Sequence, residues 1–479
     1  MAEQKPATRE ALKVEAAVIG SGPGGYVCGI KLAQLGVKTA VVEREFLGGV
    51  CLNVGCIPSK AVITAASLFE RMRHAEVMGL SCGEPRIDVA KMQEWKRGVV
   101  KKLTGGVQML LEKNGARIVR GEARIAGPHA IDVRTAEGVQ RIEASKAIVV
   151  ATGARDIAIP ALKIDEKHCL SYRGALDLEE VPKRLLVVGG GVIGLELGTA
   201  WAKLGAKLTV VELLDTVLPG TDKDLVRWVV RKLKGLGADI FTKSKATGYE
   251  VQKDGAVAVA CEIEGKAQTI VVDKMLVAVG FKPNSSGLGL EEVGVELDRR
   301  GHVVVDKQLR SNVESILAIG DVSGPPYLAH KASREGIVAA EVIAGRRVEY
   351  DVQAMPAATF TDPEISTVGL TEEQAREQGY AVKVGKFPFS ALGRALTLGE
   401  EGVPAGVVKV VADQATGVVL GVHICGHEAS DLIAEAAHAM EMGATVEDLA
   451  LTVHPHPTLS EAVMEAAEAA HGKAIHIVS

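Results

Sequence analysis

Residues 15–43 read EAAVIGSGPGGYVCGIKLAQLGVKTAVVE. The first six are apolar enough for a buried strand. GSGPGG at 20–25 is a glycine turn, and an apolar helical stretch follows to Leu35. GVKTAVVE at 36–43 is a second strand that ends on Glu43. Strand, glycine turn, helix, strand and acid together form a dinucleotide-binding unit. Gly20 makes the tight turn, Gly22 lets a pyrophosphate approach the backbone, and Gly25 lets the helix pack closely, with its N-terminus facing the phosphates. Glu43 lies where a carboxylate accepts from ribose hydroxyls. Alone, a GxGxxG is a weak signal; this context makes it specific.

The unit recurs. KRLLVVGGGVIGLELGTAWAKLGAKLTVVE at 183–212 carries Gly189, Gly191, Gly194 and Glu212, each displaced by 169 residues from its counterpart. Two such units predict two dinucleotides, a flavin and a nicotinamide. Glu212 favours NAD, because a carboxylate accepts from a 2′-hydroxyl and repels a 2′-phosphate, and no Arg follows before Arg227.

The chain has 479 residues, about three domains at roughly 150 residues each. Hydrophobic residues make up 47% and charged residues 24%, which is an ordinary globular composition. A net charge of −5 leaves no electrostatic footprint for nucleic acid. No apolar run looks long enough for a membrane span. The polar N-terminal MAEQKPATREALK has neither a signal-peptide core nor a transit-peptide bias, so a frayed tail on a cytoplasmic protein is expected. Seven cysteines in such a chain do not make a disulfide framework.

Two of them stand together in GGVCLNVGCIPSK at 48–60, where Cys51 and Cys56 are separated by four residues. That spacing among glycines suggests a redox dithiol beside a flavin. Buried unlinked thiols are the plainer alternative, and a zinc site lacks a second cysteine pair. Cys28, Cys82, Cys169, Cys261 and Cys425 read as small core residues or inert thiols. Periodicity predicts a long amphipathic helix over 87–113 and a strand meander over 117–145. It also predicts a buried strand over 146–154, helices at 222–237, 328–343 and 428–442, and strands across 238–279. A buried strand should deliver Gly320 and Asp321 to its C-terminal edge. In HPHPTLSEAVMEAAEAA at 454–470, Thr458 and Glu461 match a capping box, which predicts a helix starting there.

GSGPGG, GGVCLNVGCIPSK, ATGA, GGGVIGLELG, AIGD, LAHKA, FPFSALGRA and HPHPTLSE, in this order, make the chain resemble the FAD-dependent pyridine nucleotide-disulfide oxidoreductases over nearly its whole length. Within them it resembles the branch that oxidises dihydrolipoamide, marked by GATVEDLALTVH and HPHPTLSEAVMEAA. One departure is Val50, where the family usually has Thr.

The resemblance implies an α/β fold with two Rossmann-like domains, for FAD and NAD, and a C-terminal α+β dimerisation domain. It implies a first FAD segment at 1–154, an NAD domain at 155–281, an FAD return segment at 282–353 and a dimerisation domain at 354–479. It also implies a Cys51–Cys56 disulfide, with Cys51 attacked by substrate and Cys56 next to the flavin. His456 would be the base, contributed by the partner subunit of a homodimer, and Glu461 would orient it; a purely capping role for Glu461 is the alternative. His454 would be supporting or structural. Lys60 would face the flavin and pair with Glu196, with a surface lysine and a helix-turn glutamate as the plain alternatives. On the FAD side the resemblance adds Ala123, Thr152, Gly153, Asp321, Ala329 and His330, and on the NAD side Glu196 and Gly280. Lipoyl domains and the acyltransferase core of a 2-oxo acid dehydrogenase complex, or a glycine-cleavage lipoyl protein, would be the partners. The rivals are an NADPH-dependent glutathione or mercuric reductase and a non-catalytic FAD-binding scaffold.

Overall fold

The computed structural model describes residues 10–81, 83–399 and 405–478. Cys82 and the first nine residues of the N-terminal tail lie outside the described residues. The chain forms two compact units, each assembled from three segments.

The first unit comprises the described residues of Met1–Ser59, with Glu94–Ile157 and Gly280–Asp351. Its sheet is built on Leu12–Ile19, which pairs in parallel with Thr39–Glu43 on one side and with Gly138–Val150 on the other. Thr39–Glu43 pairs in parallel with Arg117–Arg120. The long strand Gly138–Val150 serves two neighbourhoods. Its first half closes the antiparallel meander Glu122–Gly127, Ala130–Thr135, Gly138–Val150, and its last three residues pair in parallel with Ile316–Ala318. Strands covered on both faces read as continuous apolar runs. Accordingly Ala16, Ala17, Val18, Ile148, Val149, Val150, Ile316, Leu317 and Ala318 are all fully buried. Ile316–Ala318 is the strand that delivers Gly320 and Asp321. The preceding VVVD at 303–306 pairs through an isolated bridge, Val303 to Leu297, and its backbone also donates from Val303 N to Val322 O at 2.9 Å and from Val304 N to Glu296 O at 3.1 Å.

The second unit comprises the described residues of Lys60–Gln93 and Val352–Ser479, with Ala158–Val279. Its parallel sheet runs Asp239–Phe241, Lys207–Val211, Arg184–Val188, Lys274–Val277, Cys169–Leu170. Three antiparallel strands, Lys245–Val251, Val257–Ile263 and Lys266–Val272, form a separate sheet. The C-terminal part is a five-stranded antiparallel sheet in the order Ala357–Thr359, Glu364–Gly369, Val419–Gly426, Val407–Asp413, Val382–Pro388. Helices Ala429–Glu441 and Glu461–His471 share its buried core. The long helix predicted over 87–113 is Val89–Lys113.

Two expectations change. Gly49–Arg73 is long and apolar enough to pass as a span on length and composition. In the fold it is two helices, Gly49–Asn53 and Cys56–Arg73, interrupted at Val54–Gly55. The last helix begins at Glu461, with Ser460 as its N-cap, and not at Thr458.

This last helix lies unusually close to its sheet. A Cβ on Gly385 would stand 2.0 Å from Ala466 O and 2.2 Å from Ala470 N. Backbone contact of this kind cannot be relieved by a rotamer change. Gly385→Ala should therefore destabilise the protein by at least about 1–3 kcal/mol. By contrast, Gly105→Ala, in open space on the helix Val89–Lys113, should stabilise it by about 0.5–1 kcal/mol. Urea denaturation of both variants checks this, and equal midpoints would contradict the packing.

Candidate active site

The first glycine turn is shaped as a dinucleotide requires. Gly20 has φ +100°, and a Cβ there would meet Ala151 O at 2.3 Å; a Cβ on Gly25 would meet Gly20 O at 2.0 Å. A Cβ on Gly22 would meet nothing within 4 Å; Gly22 is the N-cap of Pro23–Gln34, a helix whose N-terminus no side chain caps. The second turn repeats this. Cβ atoms on Gly189 and Gly194 would meet Ala278 O at 2.4 Å and Gly189 O at 2.2 Å, while Gly191 is open and caps Val192–Lys203 without a side-chain bond. Each unit thus presents bare helix N–H groups beside a glycine with free space, which suits a pyrophosphate.

The repeat extends to the acids. Glu43 accepts from Ser21 N at 2.9 Å and Glu45 N at 2.7 Å. Glu212 accepts from Gly190 N at 2.5 Å and Leu214 N at 2.8 Å, at the same displacement. Glu43 also takes Ser21 Oγ at 2.6 Å and Phe46 N at 3.3 Å. A carboxylate offers about four lone-pair sites. A ribose at Glu43 would therefore share an oxygen with these donors, whereas Glu212 keeps capacity for a 2′-hydroxyl.

The dithiol segment is seated on the first turn. Gly48 and Gly49 both have positive φ, +87° and +59°, and Gly48 N donates to Ser21 O at 3.0 Å. A Cβ on Gly49 would stand 2.6 Å from Gly22 Cα, so only glycine allows this contact. Asn53 Nδ2 donates to Leu47 O at 2.8 Å and Gly49 O at 2.9 Å, closing the short helix that carries Cys51. Cys51 is half-buried; Cys56 is exposed and opens the helix Cys56–Arg73. Tyr26, on the glycine-turn helix, is pushed up by burial and, secondarily, by the charge of the nearby Cys51. Val50 packs on Gly55, whose added Cβ would lie 3.1 Å from Val50 Cγ1. The other cysteines in the described residues, Cys28, Cys169, Cys261 and Cys425, are buried. Burial pushes the Cys28 and Cys169 thiols up to about 12, which makes them poor nucleophiles.

Lys60 Nζ lies 2.9 Å from Glu196 Oε2, and Glu196 Oε1 accepts from Phe360 N at 2.8 Å. The Lys60 ammonium also sits 4.2 Å over the Phe360 ring. Phe360 thus fixes the pair with both its N–H and its ring. Nothing in the sequence signals this, because the partners are 164 residues apart. Thr152 and Gly153 are likewise held by a residue not foreseen: Asn284 N donates to Gly153 O at 2.9 Å, and Thr152 Oγ1 donates to Asn284 O at 2.8 Å. Ala123 is buried on Glu122–Gly127. Gly280 has φ +113° and accepts from Ile157 N at 3.0 Å. Ala329 and His330 are the first two residues of Ala329–Ile343.

Asp321 sits in a turn clamped by a buried ion pair. Glu335 Oε2 accepts from Gly320 N at 2.6 Å, Lys331 Nζ donates to Gly324 O at 3.0 Å, and the two side chains lie 2.8 Å apart.

At the C-terminal motif, His456 Nδ1 lies 2.8 Å from Glu461 Oε1. A carboxylate only accepts, so Nδ1 carries the proton and the neutral ring keeps its lone pair on Nε2. The ring is 79% exposed. Glu461 Oε2 accepts from Thr458 N at 2.7 Å, while Thr458 Oγ1 turns to Pro455 O at 2.8 Å. Only half of the capping box forms, and Glu461 serves the turn with one oxygen and His456 with the other. Burial opposes ionisation of Glu461, but the Thr458 N–H and His456 hold its carboxyl below the usual range. Among the described residues, no group of three or more His, Cys, Asp or Glu is placed to hold a metal ion.

Residues 14–336 match the family model for pyridine nucleotide-disulphide oxidoreductases, and residues 355–467 match that family's dimerisation domain. The chain belongs to the pyridine nucleotide-disulphide oxidoreductase family. It is an FAD- and NAD-dependent oxidoreductase with the family's homodimeric architecture. It is 49% identical to a dihydrolipoyl dehydrogenase of Haloferax volcanii over 469 residues, 97% of this chain and 98% of that protein. It is 48% identical to a dihydrolipoyl dehydrogenase of Geobacillus stearothermophilus over 98% of both chains. Among solved structures, LpdA of Mycobacterium tuberculosis superposes with a TM-score of 0.87 at 29% identity, over 95% of this chain and 99% of that one. The HOCl-induced flavoprotein disulfide reductase RclA of Escherichia coli, in its Cu(II) complex, gives 0.85 at 27%, with the same coverage.

Burial raises the Asp321 carboxyl to about 6, with Lys331 pulling it down and Glu335 pushing it up. An acid raised in the folded state stabilises the fold fully below its unfolded value near 4. It loses that contribution as pH rises through about 6. The cost of ionised Asp321 to the flavin-free protein is then about 2–3 kcal/mol above pH 7. Asp321→Asn should raise the melting temperature of the flavin-free protein at pH 7.5, and the gain should vanish near pH 4. A gain independent of pH would contradict this.

Proposed function

We propose that this protein oxidises protein-bound dihydrolipoamide to lipoamide and passes two electrons through the Cys51–Cys56 disulfide and FAD to NAD+. The observation that carries the reading is the His456–Glu461 pair, an exposed Nε2 lone pair fixed in direction by a carboxylate. It stands on a chain 45–49% identical to dihydrolipoyl dehydrogenases. Free thiols have a pKa of about 8.5, so a dithiol substrate reaches neutral pH protonated and needs a base.

His456 Nε2 takes a proton from the substrate thiol. The thiolate attacks Cys51 Sγ, and the Cys51–Cys56 bond breaks. Cys56 leaves as a thiolate at the N-terminus of Cys56–Arg73, where the helix dipole favours negative charge. The second substrate thiol then resolves the mixed disulfide, giving the cyclic disulfide product and two reduced cysteines. Bound FAD supplies a two-electron acceptor that can reduce NAD+. Gly20, Gly22, Gly25, Glu43, Ala123, Thr152, Gly153, Asp321, Ala329 and His330 would hold FAD, and Gly189, Gly191, Gly194, Glu196, Glu212 and Gly280 would hold NAD. Lys60, kept in place by Glu196 and Phe360, would carry its charge toward the flavin.

We place His456 in the partner subunit's half of the site and assign the first FAD segment, inserted NAD domain, return segment and dimerisation domain as expected from sequence. The fitting partners are lipoyl domains and the acyltransferase core of a 2-oxo acid dehydrogenase complex, or a glycine-cleavage lipoyl protein, in the cytoplasm. Cys51→Ser should abolish NADH formation from dihydrolipoamide, and His456→Gln should slow it by about 10²–10⁴-fold. Mixing the two inactive variants under subunit exchange should restore one working site per mixed dimer. Full activity in either variant, or no recovery despite proven exchange, would contradict the scheme.

A further inference from the structure

Two histidines flank Pro455, and only one has a place in the scheme above. His456 is exposed. The His454 side chain is 4% exposed, and both of its ring nitrogens face acceptors. Nδ1 lies 2.8 Å from Thr452 O, and Nε2 lies 2.7 Å from Glu435 Oε1. A carbonyl oxygen and a carboxylate can only accept. A neutral imidazole has one N–H and would leave a nitrogen lone pair against an oxygen lone pair in a buried place. Two hydrogen bonds require two N–H groups, which only an imidazolium has.

We propose that His454 is held as an imidazolium and acts as a positioning residue for the His456–Glu461 pair, so that its loss of a proton sets the alkaline limit of turnover. This rests on the reading of His456 as the base. The cation pins Thr452 O and Glu435, on the helix Ala429–Glu441, to the segment that ends in the His456–Pro457 turn. It also acts on the charge of Glu461, as Glu461 acts on it. The groups facing His454 are therefore Glu435 from one helix and Glu461 from another. On the third helix of this region, Val446–Leu451, Asp448 is engaged by Thr445 N and Oγ1 at 2.8 and 2.7 Å. The Glu435 hydrogen bond raises the His454 pKa, burial lowers it, and the Thr452 carbonyl raises it; the balance is upward. The paired state is then complete below the ordinary histidine value and is lost as pH climbs through the raised one.

NMR of the ¹⁵N-histidine-labelled holoenzyme at pH 7.5, with His454→Gln to assign the signals, should show protons on both His454 ring nitrogens. A single unprotonated nitrogen would overturn the proposal. The pH profile of kcat/KM for dihydrolipoamide gives the second readout. His454→Gln should lower the plateau roughly tenfold, the scale of losing a partner that orients a working side chain, and should remove the alkaline limb. His454→Arg, a permanent cation, should recover rate at high pH. An alkaline limb unmoved in the Gln variant would overturn the role. Failure of the base assignment itself looks different, because His456→Gln would then stay active whatever His454 carries.

Discussion

A backbone-to-backbone contact, Gly48–Gly49 against Ser21–Gly22, is the constraint on which the flavin half of this site depends. It has no side chain to adjust, and a Cβ on Gly49 would fall 2.6 Å from Gly22 Cα. The glycine turn that fits a pyrophosphate is therefore also the floor on which the cysteine helix rests. Packing at this density transmits displacement rather than absorbing it. The sulfurs inherit their position from the same turn that would hold the cofactor. Cys51 lies within the short helix and Cys56 at the mouth of the next, so the two enter the chemistry in different surroundings.

The same economy appears at the acids. Glu43 and Glu212 tie their glycine turns through matching N–H groups. In the first module Ser21 and Phe46 add two further donors, so the acid there is more fully committed to the loop. Glu461 divides its oxygens between a turn N–H and His456. One carboxylate thus fixes both the entry to the last helix and the tautomer of the histidine beside it. Electrostatic positioning of this sort works only where the backbone is rigid, and Gly385 lets the helix lie directly on its sheet.

What the sequence made legible was local. Strand, glycine turn, helix and acid fall within about thirty residues, where spacing and periodicity carry the information. The cysteine pair, the HPHPTLSE motif and the helices at Val89–Lys113 and Ala329–Ile343 were legible for the same reason. Long-range partners were not. Phe360 meets Glu196 across 164 residues, and Asn284 meets Thr152 across 132. No pattern in either segment marks the other. The helix start was misplaced because S/T-x-x-E is only a template. Thr458 spends its hydroxyl on Pro455 O, and its N–H alone completes half of the box.

The most direct test of the shared floor is stopped-flow reduction of the flavin in Gly49→Ala, on protein that retains its FAD. Displacing the cysteine helix should slow flavin reduction by dihydrolipoamide at least tenfold while reduction by NADH keeps its wild-type rate. Wild-type rates with both reductants would contradict the account.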